Sequence, residues 1–441
     1  MKQILIYSII IVFFGYNIYL YLNISNKVFS IILFIIYIVN YILYYRKTKV
    51  EFISPTNIIL FTFPLITFLY YPFLEDTIIS NLFIYQTVSN ISYSTIIYCQ
   101  VVSLISFLFF MLGNSLKGVL LFRKRNVKMF RGRRKFLHIV NTVVILLAIT
   151  KGLLNLVSRY ENDSKVGLTE AEMFLSIITV LLTISSVLEF RKLSTENITN
   201  TKNILKKINL LYVVNVLFIC SLYLISGFRS GIFPIVFPII YLISRYIYMI
   251  KTKFLLLGII LGVFFMSFIR DTRGGRIAEN HEFSLLSLFG DFTAANTGLF
   301  YLIDNTMKFG SQWGSNIIYQ VVAFFPFSQY FIKNIFLVDT TKSSSEYYMD
   351  NTNWEYGLGT NVVGDLYYTF DIFGPPIILF LFGYFIKCVK VSSKNSVLAE
   401  IFYMLILGSS LMFCRIEFFS IIRYFGLAFF TYLLLKTFIK E

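Results

Sequence analysis

Ser94–Gly113 reads STIIYCQVVSLISFLFFMLG, without one charged side chain. At about 1.5 Å of rise per residue, a run of roughly 20 apolar residues crosses the hydrocarbon core of a bilayer as a single helix. In lipid the backbone must satisfy its own hydrogen bonds, so a helix is the form such a run takes. Outward from this stretch, comparable runs fall at about 4–22, 28–45, 57–74, 136–157, 173–190, 209–226, 231–250, 254–270, 371–389, 398–414 and 418–438. The first is too long for a secretory signal and has no small-x-small cleavage site after it, so it reads as an anchor. Composition agrees: 57% of the 441 residues are hydrophobic and 14% charged, against about 25% charged in ordinary soluble domains. The expectation is an all-α, polytopic transmembrane helical bundle of about 12 spans, with 1–441 forming one integral membrane domain.

Basic loops stay on the cytoplasmic side, so lysine and arginine give the orientation. With the N-terminus inside, alternate loops are the basic ones: Arg46 to Lys49, Lys117 to Lys135, Arg191 to Lys207, Lys251 and Lys253, Lys387 to Lys394, and Lys436 with Lys440. About two thirds of the 39 basic residues then lie on one side, and both termini are expected in the cytoplasm. The formal charge of +16 does not call for nucleic acid, because these charges sit in short loops between apolar helices, where they fix topology and meet anionic headgroups. Cys99, Cys220, Cys388 and Cys414 lie in or at the ends of apolar runs without metal-ligand spacing, and His138 and His281 are the two histidines. No metal site, cofactor, Walker loop or dinucleotide fingerprint is expected.

One connection stands apart from the rest. Residues 271–360 form an outer segment of about 90 residues, far beyond an ordinary loop. Within it, 283–303 and 313–337 are apolar enough for helices at the interface, interrupted by Pro326, Gly290, Gly310 and Gly314. Counting both as true spans gives about 14 and leaves the termini where they were.

Charge near an apolar span costs about 2.5–3.5 kcal/mol at mid-helix, so it needs a cavity, a partner or a task. Three clusters on the outer side meet that description. Arg229 stands between Gly227 and Gly231 in a hairpin; it reads either as a forked phosphate donor or as a tight turn with a snorkelling arginine. Arg270, Arg273 and Arg276 surround Gly274-Gly275, suited to wrapping a diphosphate or to a salt-bridged loop with Asp271 and Glu279. Arg415-Ile416-Glu417, followed by Arg423 and Gly426, reads as a turn aiming charge at an outer cavity or as an ion pair capping two helices. Candidate bases near these arginines are Glu355, Asp365, Asp291 and His281.

The stretch GLGTNVVGDLYYTFDIFG (Gly357–Gly374) resembles bacterial O-antigen and related oligosaccharide repeat-unit polymerases of the Wzy type. The likeness extends to the many spans, the large late outer loop and the glycine-flanked Arg229. An Arg-x10-Gly pattern of that family is matched by Arg415 and Gly426, whereas Arg229, Arg270, Arg273 and Arg276 have no glycine at that spacing.

The resemblance implies a metal-independent glycosyltransferase of the bacterial inner membrane, its large loop periplasmic. It would join repeat units carried on undecaprenyl diphosphate, with membrane lipids and a chain-length regulator protein as partners. Arg229, Arg270, Arg273, Arg276, Arg415 and Arg423 would bind the diphosphate; Glu355, Asp365 or His281 would take the acceptor proton. Trp313, Tyr347, Tyr348, Trp354 and Tyr356 are placed to stack on sugars or to anchor at the interface. The alternatives are a flippase or transporter of the same lipid-linked unit, and an O-antigen ligase.

Overall fold

The computed structural model describes residues 1–22, 24–68, 90–121, 134–156, 168–195, 207–226, 231–250, 295–322, 324–325, 343–352 and 360–438. Among the described residues the regular structure is helical throughout, without a strand. In chain order the helices are α1 (Lys2–Leu22), α2 (Asn26–Thr48), α3 (Pro55–Thr67), α4 (Tyr93–Asn114), α5 (Arg134–Thr150), α6 (Leu168–Thr195), α7 (Leu210–Ser226) and α8 (Phe233–Tyr246). They continue with α9 (Ala295–Phe309), α10 (Ile318–Val322), α11 (Ser344–Thr352), α12 (Val362–Phe370), α13 (Gly374–Ser393), α14 (Val397–Ser409) and α15 (Ser420–Phe438). Short 3-10 turns precede α10 at Ser315–Ile317 and α15 at Phe413–Arg415.

Among the described residues, five stretches are long and apolar enough to cross a membrane: Lys2–Leu22, Asn26–Thr48, Tyr93–Asn114, Phe174–Ser194 and Val362–Ser393. They contain the runs expected at 4–22, 28–45, 94–113 and 371–389, and all but the first residue of 173–190. Shorter apolar helices cover 57–74, 136–157, 209–226, 231–250 and 398–414 in part. The run 254–270 lies outside the described residues, and 418–438 coincides with α15, which carries Arg423 and Lys436. The last of the five is interrupted: Asp371 adopts φ 61°, so the continuous helix is α13, whose 20 residues rise about 30 Å. That break falls where the apolar run at 371 begins.

The chain forms two compact units, Met1–Leu120 with Leu285–Val391 and Ser410–Arg423, and Leu121–Ser284 with Ser392–Ser409 and Tyr424–Glu441. In the first, α4 packs against α1, α2 and α9, and α9 against α12. Only 17% of the apolar stretch of α1 is buried against 78% for α4, so α1 offers its side chains to the surroundings and α4 is central. Gly113 and Gly383 let α4 and α13 touch backbone to backbone, since a Cβ on either would fall on the carbonyl of Phe380 or Phe110. Asn114 at the same crossing donates from Nδ2 to Gly383 O (2.9 Å) and accepts from Tyr44 OH (2.6 Å).

Helix α3 is opened by Ser54, whose hydroxyl accepts from Asn57 N–H, with Pro55 at the first turn. Pro64 within it has no N–H for the carbonyl of Leu60, four residues earlier. The hydroxyl of buried Tyr37 donates to that carbonyl instead. At the far end of the helix Gln100 donates to Thr67 O (3.3 Å) and Asn296 to Ile66 O, satisfying carbonyls with no partner inside the helix.

In the second unit α6 is the centre, 89% of its apolar stretch being buried against α5, α8 and α14. Leu175, Ile178 and Leu182 of α6 join Ile145, Ala148, Ile219, Leu222, Tyr223 and Ile235 in an apolar core. Thr179, Thr183 and Ser186 donate to carbonyls one turn back, which lets hydroxyls sit in this core. Three of the ion pairs among the described residues gather near the end of α6. His138 Nε2 lies 2.9 Å from Glu189 Oε1. Glu400 takes Arg191 Nε on one oxygen and Arg245 Nη1 (3.0 Å) with Tyr246 OH (2.7 Å) on the other. Arg191 Nη2 further donates to Ser393 O at 2.9 Å.

Candidate functional site

The site belongs to the first unit and is built on α12. Asn361 starts that helix by accepting Val363 N–H on its side-chain oxygen (2.9 Å), and Asp365 follows one turn on. Asp365 is 0% exposed, and both its oxygens are engaged. Oδ1 accepts from Ser344 Oγ (2.5 Å), and Oδ2 accepts from the backbone N–H of Phe418 (2.9 Å).

Phe418 is the neighbour of Glu417, and Ser344 is the neighbour of Ser345. Those two neighbours also meet: Glu417 Oε1 accepts from Ser345 N–H (3.0 Å) and from its hydroxyl. The other oxygen of Glu417 accepts from Gln320 Nε2 at 2.5 Å. Glu417, unlike Asp365, is half-buried. The serines are presented by the start of α11, where Ser343 and Glu346 form a reciprocal cap: Ser343 N–H donates to Glu346 Oε2 (3.0 Å) and Glu346 N–H to Ser343 Oγ (3.3 Å). A carboxylate facing a helix N-terminus is favoured by its exposed N–H groups, which suits Glu417 to this position.

A second chain of bonds runs beneath. Asn316 Nδ2 donates to Thr369 Oγ1 (2.9 Å), which donates to Asp365 O (2.7 Å). Because the threonine proton is committed to Asp365, the amide nitrogen of Asn316 must face the threonine oxygen. Because a carboxylate accepts only, Gln320 likewise turns its nitrogen to Glu417. The amide oxygens of Asn316 and Gln320, one helical turn apart, are buried and meet no donor among the described residues.

Arg415 ends the turn Phe413–Arg415, half-buried, with its N–H on Met412 O (2.8 Å). Ile416 is extended (φ −122°, ψ 162°), so Arg415 and Glu417 are not held at the offset a helix would impose. Arg423, half-buried in the first turns of α15, makes no ion pair with a described residue. Of the residues expected from sequence, Asp365, Arg415 and Arg423 are in this unit, and Asp365 is tied to the residue after Glu417. Arg229, Arg270, Arg273, Arg276, His281, Asp291 and Glu355 lie outside the described residues, as do Trp354 and Tyr356.

Among the aromatics, Tyr348 is a core residue, 1% exposed, its hydroxyl paired with Thr297 Oγ1 (2.8 Å), and Tyr347 stacks on Tyr368 at 5.1 Å. Trp313 is 78% exposed. Among the described residues no group of three or more His, Cys, Asp or Glu side chains is arranged to hold a metal ion. Gln320, Asn316, Ser344 and Ser345 were not legible as site residues; the serine–serine–glutamate cap was the signal that places a helix start there. Comparisons with protein-family models, with curated proteins and with solved structures return no match.

Proposed function

We propose that this chain is a bacterial inner-membrane polymerase that joins undecaprenyl-diphosphate-linked oligosaccharide repeat units on the periplasmic side. It has about 12 spans, both termini in the cytoplasm and residues 271–360 as the periplasmic loop. The observation that carries the reading is the linkage of Asp365 to the Arg415–Glu417 turn through Phe418 and Ser344. It supports a carboxylate and a guanidinium working side by side where the sequence resembles the Wzy type. Arg415 and Arg423 hold the diphosphate as it departs, stabilising the charge that develops there.

Support for the sidedness comes from the other end of α13, where Lys390 Nζ lies 3.3 Å from Glu51 Oε2. Both belong to segments that the distribution of basic residues assigns to the cytoplasm, while the acids on α12 and at 417 belong to segments it assigns outside. The test is deletion of the coding sequence followed by electrophoresis of the surface polysaccharide. Loss of long chains with single repeat units retained is the expected outcome; loss of every unit points to a flippase, and an unchanged ladder rejects the reading.

A further inference from the structure

We propose that Glu417, Gln320 and Asn316 form the subsite for the acceptor sugar, that Glu417 takes the acceptor proton, and that Asp365 is a positioning residue. The proposal rests on the polymerase reading for its chemistry and on the geometry of the first unit for its residues. Burial separates the two acids, since both have each oxygen hydrogen-bonded. Asp365 is 0% exposed, with Ser344 Oγ on one oxygen and Phe418 N–H on the other. What it touches are the chain neighbours of Ser345 and Glu417, the pair whose hydrogen bond sets the orientation of the half-buried carboxylate. Glu417 is the acid of the two that solvent or a ligand can reach.

The amide oxygens are the independent sign of a ligand. Asn316 is 1% and Gln320 7% exposed, yet Oδ1 of the first and Oε1 of the second meet no donor among the described residues. A buried carbonyl oxygen without a donor is costly, and the bonding partners of both amides prevent a flip from relieving it. Two open acceptors on residues four apart in the chain, one of them on the amide that holds Glu417, match a ligand rich in hydroxyl donors. A sugar offers adjacent hydroxyls of that kind, and one of them would hold the proton to be removed.

The step balances without a metal. The acceptor hydroxyl gives its proton to Glu417 as its oxygen forms a bond to the anomeric carbon of the donor. The bond from that carbon to the diphosphate oxygen breaks, and the diphosphate leaves as the anion on the lipid carrier.

The test uses membranes from the deletion strain carrying the full-length chain or a variant, fed with lipid-linked oligosaccharide extracted from those cells. Chain extension is read by electrophoresis across a range of pH. Glu417→Gln should lower the rate by about 10²–10⁴-fold, and Glu417→Asp should restore part of it with the acidic limb of the pH profile displaced. Gln320→Leu and Asn316→Leu should raise the KM for the acceptor about tenfold with a smaller change in kcat. Asp365→Asn should lower kcat and leave the acidic limb where it was. Wild-type extension together with a Glu417→Gln variant that is correctly inserted and still active overturns the subsite and leaves the polymerase standing.

If the wild-type chain fails to extend, the polymerase reading falls, and labelling then decides the subsite by itself. A water-soluble carbodiimide should modify Glu417 and spare Asp365, with the lipid-linked oligosaccharide protecting Glu417. Labelling of Asp365 ahead of Glu417, or no protection, overturns the assignment; water alone beside the amide oxygens gives the unprotected result.

Discussion

Asp365, on α12, accepts the backbone N–H of Phe418 at 2.9 Å, although 53 residues of chain separate them. The turn carrying Arg415 and Glu417 is thereby tied to a different helix, in addition to its local bond from Arg415 N–H to Met412 O. Asp365→Ala removes the acceptor from two buried donors, Ser344 Oγ and Phe418 N. At about 1–3 kcal/mol for each group left unsatisfied, the variant should unfold in detergent at a clearly lower temperature. Ser344→Ala, which removes one neutral donor, should cost about 1 kcal/mol. Equal losses in thermal unfolding would show that the Phe418 bond contributes nothing.

The Pro64 gap in α3 gives a sharper test. Tyr37→Phe leaves Leu60 O without a donor and should destabilise by about 1 kcal/mol, within the range for hydrogen bonds inside membrane bundles. Pro64→Ala returns a backbone N–H to the same carbonyl. In a double-mutant cycle followed by thermal unfolding, Tyr37→Phe should therefore cost much less on the Pro64→Ala background. Additive effects would mean that the tyrosine acts through packing alone.

At the crossing of α4 and α13 any Cβ meets backbone, which cannot swing aside as a side chain does. Gly113→Ala and Gly383→Ala should each cost about 1–3 kcal/mol or more, and the two together less than their sum, because one displacement of the helices relieves both. Retention of normal thermal unfolding in either single variant would contradict so close an approach.

Glu400 joins two arginines inside the second unit. Glu400→Gln leaves Arg191 and Arg245 facing each other with their counter-charge gone, at a cost of about 3–5 kcal/mol for a broken buried pair. Replacing all three charges with Met or Leu should be far less harmful. Membrane abundance of the single and triple variants checks this; a single variant as abundant as wild type would mean that water reaches the cluster.

The helices α1, α2, α4, α6 and α13 were legible because apolar runs of bilayer length with few charges have one economical solution in lipid. The start of α13 was read three residues early, at 371: Asp371 takes φ 61° and the helix begins at Gly374, ahead of Pro375 and Pro376. The end of α14 was not legible. The apolar run continues to 414, yet the helix stops at Ser409 and the chain turns through Phe413–Arg415.

Within the site, Asp365, Arg415 and Arg423 could be named from charge beside apolar chain. Their partners could not, because Ser345 and Gln320 stand 72 and 97 residues from Glu417, and neither type of side chain marks a site by itself. Glu400 went unremarked as one acid in an apolar run, its partner Arg191 lying 209 residues away.

The run Ser343-Ser344-Ser345 has the look of filler, but no two of its hydroxyls serve the same purpose. The first closes the end of α11 with Glu346, the second holds Asp365 and the third holds Glu417. Spelling therefore matters here more than composition. Deleting one serine, or inserting a fourth, would keep the tract's chemistry and move the remaining hydroxyls out of reach of their own partners.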